Sequence, residues 1–146
     1  STIPGSDGGR LPQSELDRLD AALGATPGHA LVCLHHSPLA TGSDWLDTMA
    51  LTNADDFFGV LDRHPCVRGV LFGHIHQTLE AARNGVRIMG SPSTCVQFLP
   101  GSEDFALDTR APGYRELLLY PDGRLETWVR RLAAYPEPLN ATAEGY

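Results

Sequence analysis

Long apolar runs are missing from this chain. Nothing approaches the ~18–20 consecutive apolar residues a membrane-crossing helix needs, and no secretory signal pattern opens it. Cysteine is scarce: Cys33, Cys66 and Cys95 are an odd, widely spaced set with no Cys-x-x-Cys pair. That argues against a disulfide framework and a thiolate zinc site, and for reduced thiols in a cytoplasmic protein. We read all three as small buried hydrophobes. Positive charge is also short, with 11 basic residues against 18 acidic ones and a formal net charge of −7. The want of a basic footprint argues against non-specific nucleic-acid binding. An anionic substrate would need a source of positive charge, and bound metal would supply it. The chain opens on Ser1 rather than methionine, the expected mark of a processed product or a piece of a longer protein.

What is present suits one globular domain. The 146 residues are 42% hydrophobic and 20% charged, enough to bury a core and too apolar for disorder. Residues 1–10 carry loop chemistry, with Pro4, Gly5, Gly8 and Gly9. A helix is expected from about Pro12, with Leu16, Leu19 and Leu23 on its apolar face and Gly24 near its stop. Ala30–Leu34 and Val67–Phe72 are short continuous apolar runs, as in strands buried on both faces. Between them, 39–52 reads as loop or irregular helix anchored by Trp45 and Met49. A second helix follows, capped by Asn53 and carrying Phe57, Phe58, Val60 and Leu61. Strand, helix, strand makes one crossover unit. Strands are then expected near 78–83, 86–89 and 94–98, the first two joined by Asn84-Gly85, a strong hairpin signal. A loop over 99–112 precedes a last hairpin, 114–120 and 124–132, turned at Pro121-Asp122-Gly123. The division expected is a folded unit over 1–132 and a tail over 133–146.

The chemistry gathers where the two apolar strands end. The first runs into His35-His36-Ser37-Pro38 and the second into Gly73-His74-Ile75-His76. Ligands of open α/β sheets bind just outside the carboxyl ends of strands, so a parallel pairing puts His35 and His74 on one rim. In extended geometry His74 and His76 project to the same side. With His35 nearby, the three imidazoles are candidate ligands for a divalent metal. His36 either supports its neighbour from behind or faces substrate, and His29 and His64 read as surface residues. A metallo-β-lactamase-like site fails, because Gln77, Thr78 and Leu79 follow where Asp-His is needed. A cupin site finds its carboxylate in Glu80 but lacks the later histidine, since none follows His76.

At these residues the sequence resembles the calcineurin-like metallophosphoesterases, and within them the bacterial 3′,5′-cyclic-AMP phosphodiesterases. His35-His36-Ser37-Pro38 matches the family's His-His-x-Pro, and Gly73–His76 its Gly-His-x-His. Three further stretches resemble the cyclic-AMP subgroup: Ser91 to Phe98, Phe105 to Asp108, and Pro112 to Arg115. The resemblance runs from about Pro4 to Leu132. It implies an α/β fold, the C-terminal half of a four-layer α/β/β/α sandwich. It also implies that His35 and His74 bind one metal and His76 a second, the pair being iron and manganese or another divalent ion such as zinc. The implied substrate is cyclic AMP, hydrolysed to 5′-AMP; the alternatives are a glycerophosphodiester or phosphomonoester substrate, or a non-catalytic, dimerising metal-binding module. The family's earlier motifs, Asp-x-His, Gly-Asp with its bridging aspartate, and Gly-Asn-His, have no counterpart here. The expectation is therefore a C-terminal half that is inactive alone and forms a homodimer through exposed sheet edges.

Overall fold

The computed structural model describes residues 1–133, so the expected tail lies, beyond Ala133, outside the described residues. The fold is mixed α/β, built on a four-stranded sheet. Its strands are β3 (Ala30–Leu34), β4 (Val67–Phe72), β6 (Val86–Gly90) and β5 (Leu79–Arg83), in the order β3-β4-β6-β5. β4 runs parallel to both β3 and β6, while β5 and β6 form an antiparallel hairpin. The Asn84-Gly85 turn of that hairpin has positive φ at both residues (50° and 82°), as a tight two-residue turn requires.

Three helices accompany the sheet: α1 (Gln13–Gly24), α2 (Asp44–Asp47) and α3 (Ala54–Leu61). Leu16 and Leu23 of α1 and Phe57, Phe58, Val60 and Leu61 of α3 share one core with Val70 and Phe72 of β4. Alternation along β4 turns Gly69 to the opposite face, where a side chain would meet Leu125 at 2.9 Å and Leu31 and Met89 at 3.0 Å. That contact seats the final hairpin, β9 (Gly113–Leu119) with β10 (Leu125–Arg131), against the sheet.

Several expectations are corrected. Residues 1–10 are not plain loop: β1 (Thr2–Ile3) and β2 (Ser6–Gly9) pair across Pro4-Gly5, Gly5 supplying a φ of 77°. Gly9 then ties this hairpin inward, donating to the Ala50 carbonyl at 3.1 Å. The 99–112 loop contains β8 (Leu107–Asp108), which pairs with β7 (Gln97–Phe98). β3 is only half-buried because it is an edge strand among the described residues, and Cys33 on it is exposed. Cys95 is exposed as well and Cys66 half-buried, so the cysteines are not a buried set. His64 is partly buried, its Nε2 2.6 Å from Asp20 Oδ1. Asn53 does precede α3, but its side chain makes no cap bond. It brackets Leu11 instead, accepting from the Leu11 amide (3.0 Å) and donating to its carbonyl (2.8 Å).

Candidate metal centre

The parallel register of β3 and β4 pairs Leu34 with Phe72, so both chains leave the sheet at the same rim. The Gly73 amide then donates to the His35 carbonyl at 3.1 Å. His35 Nε2 and His74 Nδ1 lie 3.2 Å apart, and His36 closes the cluster with its ring centroid 4.7 Å from that of His74. His76 is turned elsewhere. Its ring stacks on Phe98, centroids 4.3 Å apart and planes 7° from parallel, while its carbonyl accepts from the Phe98 amide.

The extended geometry expected for this run is overturned. His74 and His76 adopt left-handed conformations, φ 63° and 49°, around the buried Ile75. Such conformations at non-glycine residues cost on the order of 1–3 kcal/mol each and persist only where packing imposes them. Ile75 sinks into the core and its amide donates back to the Gly73 carbonyl at 2.7 Å. The neighbouring histidines are thereby aimed at different surroundings.

Burial disfavours the charged form of the His74, His76 and His36 rings. Burial, reinforced by His36, His35 and then His76, pushes the His74 pKa down to about 4. Burial also lowers that of His76, against a hydrogen bond to the Val96 carbonyl that acts the other way. His36 is lowered first by burial and then by His35. A neutral imidazole keeps a lone pair for a metal. His74 Nε2 and His76 Nδ1 are both buried without a hydrogen-bond partner.

His36 occupies a different position from its neighbours. It is 2% exposed, its Nε2 donates to the Asp7 carbonyl (3.2 Å), and Nδ1 accepts from the Ser1 hydroxyl (2.8 Å). A carbonyl can only accept, which fixes the proton on Nε2. Sequence reasoning missed this N-terminal clamp because it took residues 1–10 for loop. It also missed Phe98, whose aromatic ring carries no motif.

No family model matches the chain. Across its whole length it is 44% identical to the 3′,5′-cyclic adenosine monophosphate phosphodiesterase CpdA of Vibrio vulnificus, covering 54% of that protein. The CpdA of Pseudomonas aeruginosa is 48% identical over 90% of the chain and 49% of its own length. Over nearly all of its length the chain is thus similar to bacterial cyclic-AMP phosphodiesterases. It spans about half the length of the curated relatives it matches. A dimetal phosphatase from Danio rerio shares the fold, with a TM-score of 0.54 over 83% of this chain and 38% of the other, at 20% identity. The chain corresponds to roughly the C-terminal half of these relatives.

Whether the histidines fit metal ions is answered in part by the nitrogens themselves. Two imidazole nitrogens on one divalent ion, each about 2.0–2.1 Å from it, stand roughly 3.0–3.4 Å apart. The 3.2 Å between His35 Nε2 and His74 Nδ1 matches that separation. The buried, unpartnered Nδ1 of His76 suits ligation as well, whereas His74 Nε2 would carry the ring proton when Nδ1 is the ligand. The shells are incomplete, however. Among the described residues, no group of three or more His, Cys, Asp or Glu is placed to hold an ion.

Proposed function

We propose that this chain is the C-terminal half of a cyclic-AMP phosphodiesterase, which it serves by holding the histidine side of a two-metal centre. His35 and His74 are assigned to one ion and His76 to the other. The observation that carries this reading is the pair of imidazole nitrogens 3.2 Å apart on the rim formed by two parallel strands. Paired divalent ions, when bound, supply charge neutralisation for a phosphodiester and make water acidic enough to react near neutral pH. The chain's own part is orientation. β3 and β4 deliver the rings, Ile75 separates the directions of His74 and His76, and the Ser1–Asp7–Gly9 clamp holds His36 behind them. We assign His36 to packing and positioning rather than direct substrate contact, because both of its ring nitrogens are already engaged.

Iron and manganese are the ions we propose, with zinc as a substitute. Three free cysteines support a reducing compartment, for which we propose the cytoplasm. Carboxylate ligands must come from outside the described residues, so the 146-residue chain alone is expected to show no turnover. The test is to assay cyclic AMP, a glycerophosphodiester and a phosphomonoester with the purified chain, then with the chain joined to the corresponding N-terminal half of a CpdA relative. Manganese-dependent hydrolysis of cyclic AMP only in the joined protein supports the reading. Turnover by the chain alone, or preference for the other two substrates in the joined protein, would overturn it.

A further inference from the structure

The stretch Ser91 to Phe98 supplies none of the three assigned histidines. It lies against one of them. The Phe98 and His76 rings stack with centroids 4.3 Å apart and planes 7° from parallel, and the Phe98 amide donates to the His76 carbonyl at 3.4 Å. Two residues earlier, the Val96 carbonyl accepts a hydrogen bond from the His76 ring. One short segment therefore holds this histidine by its backbone, its ring edge and its ring face.

Phe98 is itself immobilised. It is buried, and Trp45 of α2 and Phe105 meet it edge-to-face, with centroids 5.0 and 5.6 Å away and planes at 75° and 67°. Trp45 is tied in turn, its Nε1 donating to Ser102 Oγ at 3.2 Å. The backbone is fixed on both sides of the ring. Phe98 pairs with Leu107 across β7 and β8, and the Leu99 amide donates to the Ala106 carbonyl at 2.8 Å. Before it, the buried Gln97 amide group donates to the Ser93 carbonyl (2.7 Å) and the Cys95 carbonyl (3.2 Å), which sets the turn that enters β7. The phenyl face is thus a rigid platform.

The plane of an imidazole decides where it can bind an ion, because the nitrogen lone pair lies in that plane. Histidine ligands are ordinarily aimed by a hydrogen bond at the second ring nitrogen, and a working site tolerates only about 10–20° of misdirection. One hydrogen bond leaves the His76 ring free to swing about that bond, whereas a parallel stack fixes its plane. Resting on the phosphodiesterase reading above, we propose that Phe98 is the positioning residue for His76, holding the imidazole in the plane from which it meets the second metal ion. Phe98 acts through His76 alone. Its face also attracts an imidazole that has given up electron density, so the stack is stronger when the ring is a ligand.

The test has two arms, each run with the parent, Phe98→Leu and Phe98→Tyr. The first is NMR of the histidine ring protons in the 146-residue chain. The His76 ring protons are expected upfield of an unstacked imidazole in the parent and in Phe98→Tyr, and to lose that displacement in Phe98→Leu. Unmoved Val32 and Val70 amides show an intact sheet. The second arm measures bound manganese in the chain joined to the N-terminal half of a CpdA relative. Phe98→Leu should weaken the second ion by about tenfold or more and leave the first in place, while Phe98→Tyr restores both. A merely structural role would lower the two ions together or neither. A parent without the upfield displacement, or a Phe98→Leu protein that holds both ions as tightly as the parent, would overturn the proposal alone. A joined parent protein that holds one ion or none, with the His76 stack intact in the first arm, would overturn the two-metal reading and the proposal with it.

Discussion

Gly9 carries more of the site than its lack of a side chain suggests. A methyl group there would lie 2.4 Å from His36 Cγ and 2.7 Å from Nδ1, inside a ring that cannot retreat. Gly9→Ala should therefore push His36 off its Ser1 and Asp7 partners and lower stability by about 1–3 kcal/mol, read from the urea midpoint. Gly59 is the control. It lies inside α3, where an added methyl group would find nothing within 4 Å, so Gly59→Ala should raise stability by up to about 1 kcal/mol. Metal binding gives a second test at this scale. If His35 and His74 share an ion, replacing either by alanine removes cobalt or zinc binding at that site, and the double variant adds nothing further. His76→Ala leaves that site's affinity within about tenfold. Equal, additive losses in a calorimetric titration of all three variants would mean a single three-histidine site. The spacing of these histidines was legible in the sequence because side-chain type and strand ends are local signals. Their directions were not, since the left-handed backbone at His74 and His76 is imposed by the burial of Ile75, a tertiary effect.

At the scale of elements, local patterning served where a segment is either uniformly apolar or clearly punctuated. β3 and β4 fall on the expected residues, and the Asn84-Gly85 hairpin turns where it should. The β1–β2 hairpin and β8 were not legible, because they are two- to four-residue strands whose pairing leaves little periodic pattern to read. Also hidden was the fastening between hairpin and sheet. Arg115 of β9 is 1% exposed at its side chain. It donates to Glu80 Oε1 on β5 (2.8 Å), the Gly90 carbonyl on β6 (3.0 Å) and Thr127 Oγ1 on β10 (3.1 Å). Glu80→Gln would remove the one carboxylate partner of a buried guanidinium. We expect a loss of about 1–3 kcal/mol, below the ~3–5 of a fully buried pair because Glu80 is half-exposed. The pH dependence has a definite sign. The Arg115 and Arg87 guanidiniums hold the Glu80 carboxyl below its ordinary range, Arg115 foremost. Its contribution is present above the unfolded value near ~4.3 and is lost as pH falls through the lower folded value. The stability gap between parent and Glu80→Gln should thus be constant at neutral pH and shrink on acidification below about pH 4. A gap that widens on acidification would place the carboxylate's role elsewhere.

For the whole molecule, the question is what the sheet and hairpin leave uncovered. Leu118 and Leu119 at the end of β9 and Trp128 on β10 are exposed, although large apolar side chains normally sit inside. Leu118 and Trp128 occupy one face, since their cross-strand partners Glu126 and Glu116 alternate with them along the hairpin. The outer edge of β3 has no pairing strand among the described residues, and an unpaired edge is a template for another chain. The chain meanwhile spans about half the length of its curated relatives. Burying these groups at about 25 cal/mol per Å² is favourable, and the acidic surface is too dilute in charge to oppose it at moderate salt. Reversible self-association is therefore expected at high concentration, with sedimentation approaching twice the 15.8 kDa chain mass. Higher salt should not dissolve it, because the contact is apolar. Trp128→Glu should weaken association by about tenfold or more without moving the urea midpoint, as the side chain faces solvent in the monomer. The chain joined to a partner N-terminal half should lose the tendency altogether. A parent chain that sediments as a monomer at every concentration would show that this face is tolerated in water. Association abolished by salt would instead assign it to the charged residues interleaved with Leu118 and Trp128.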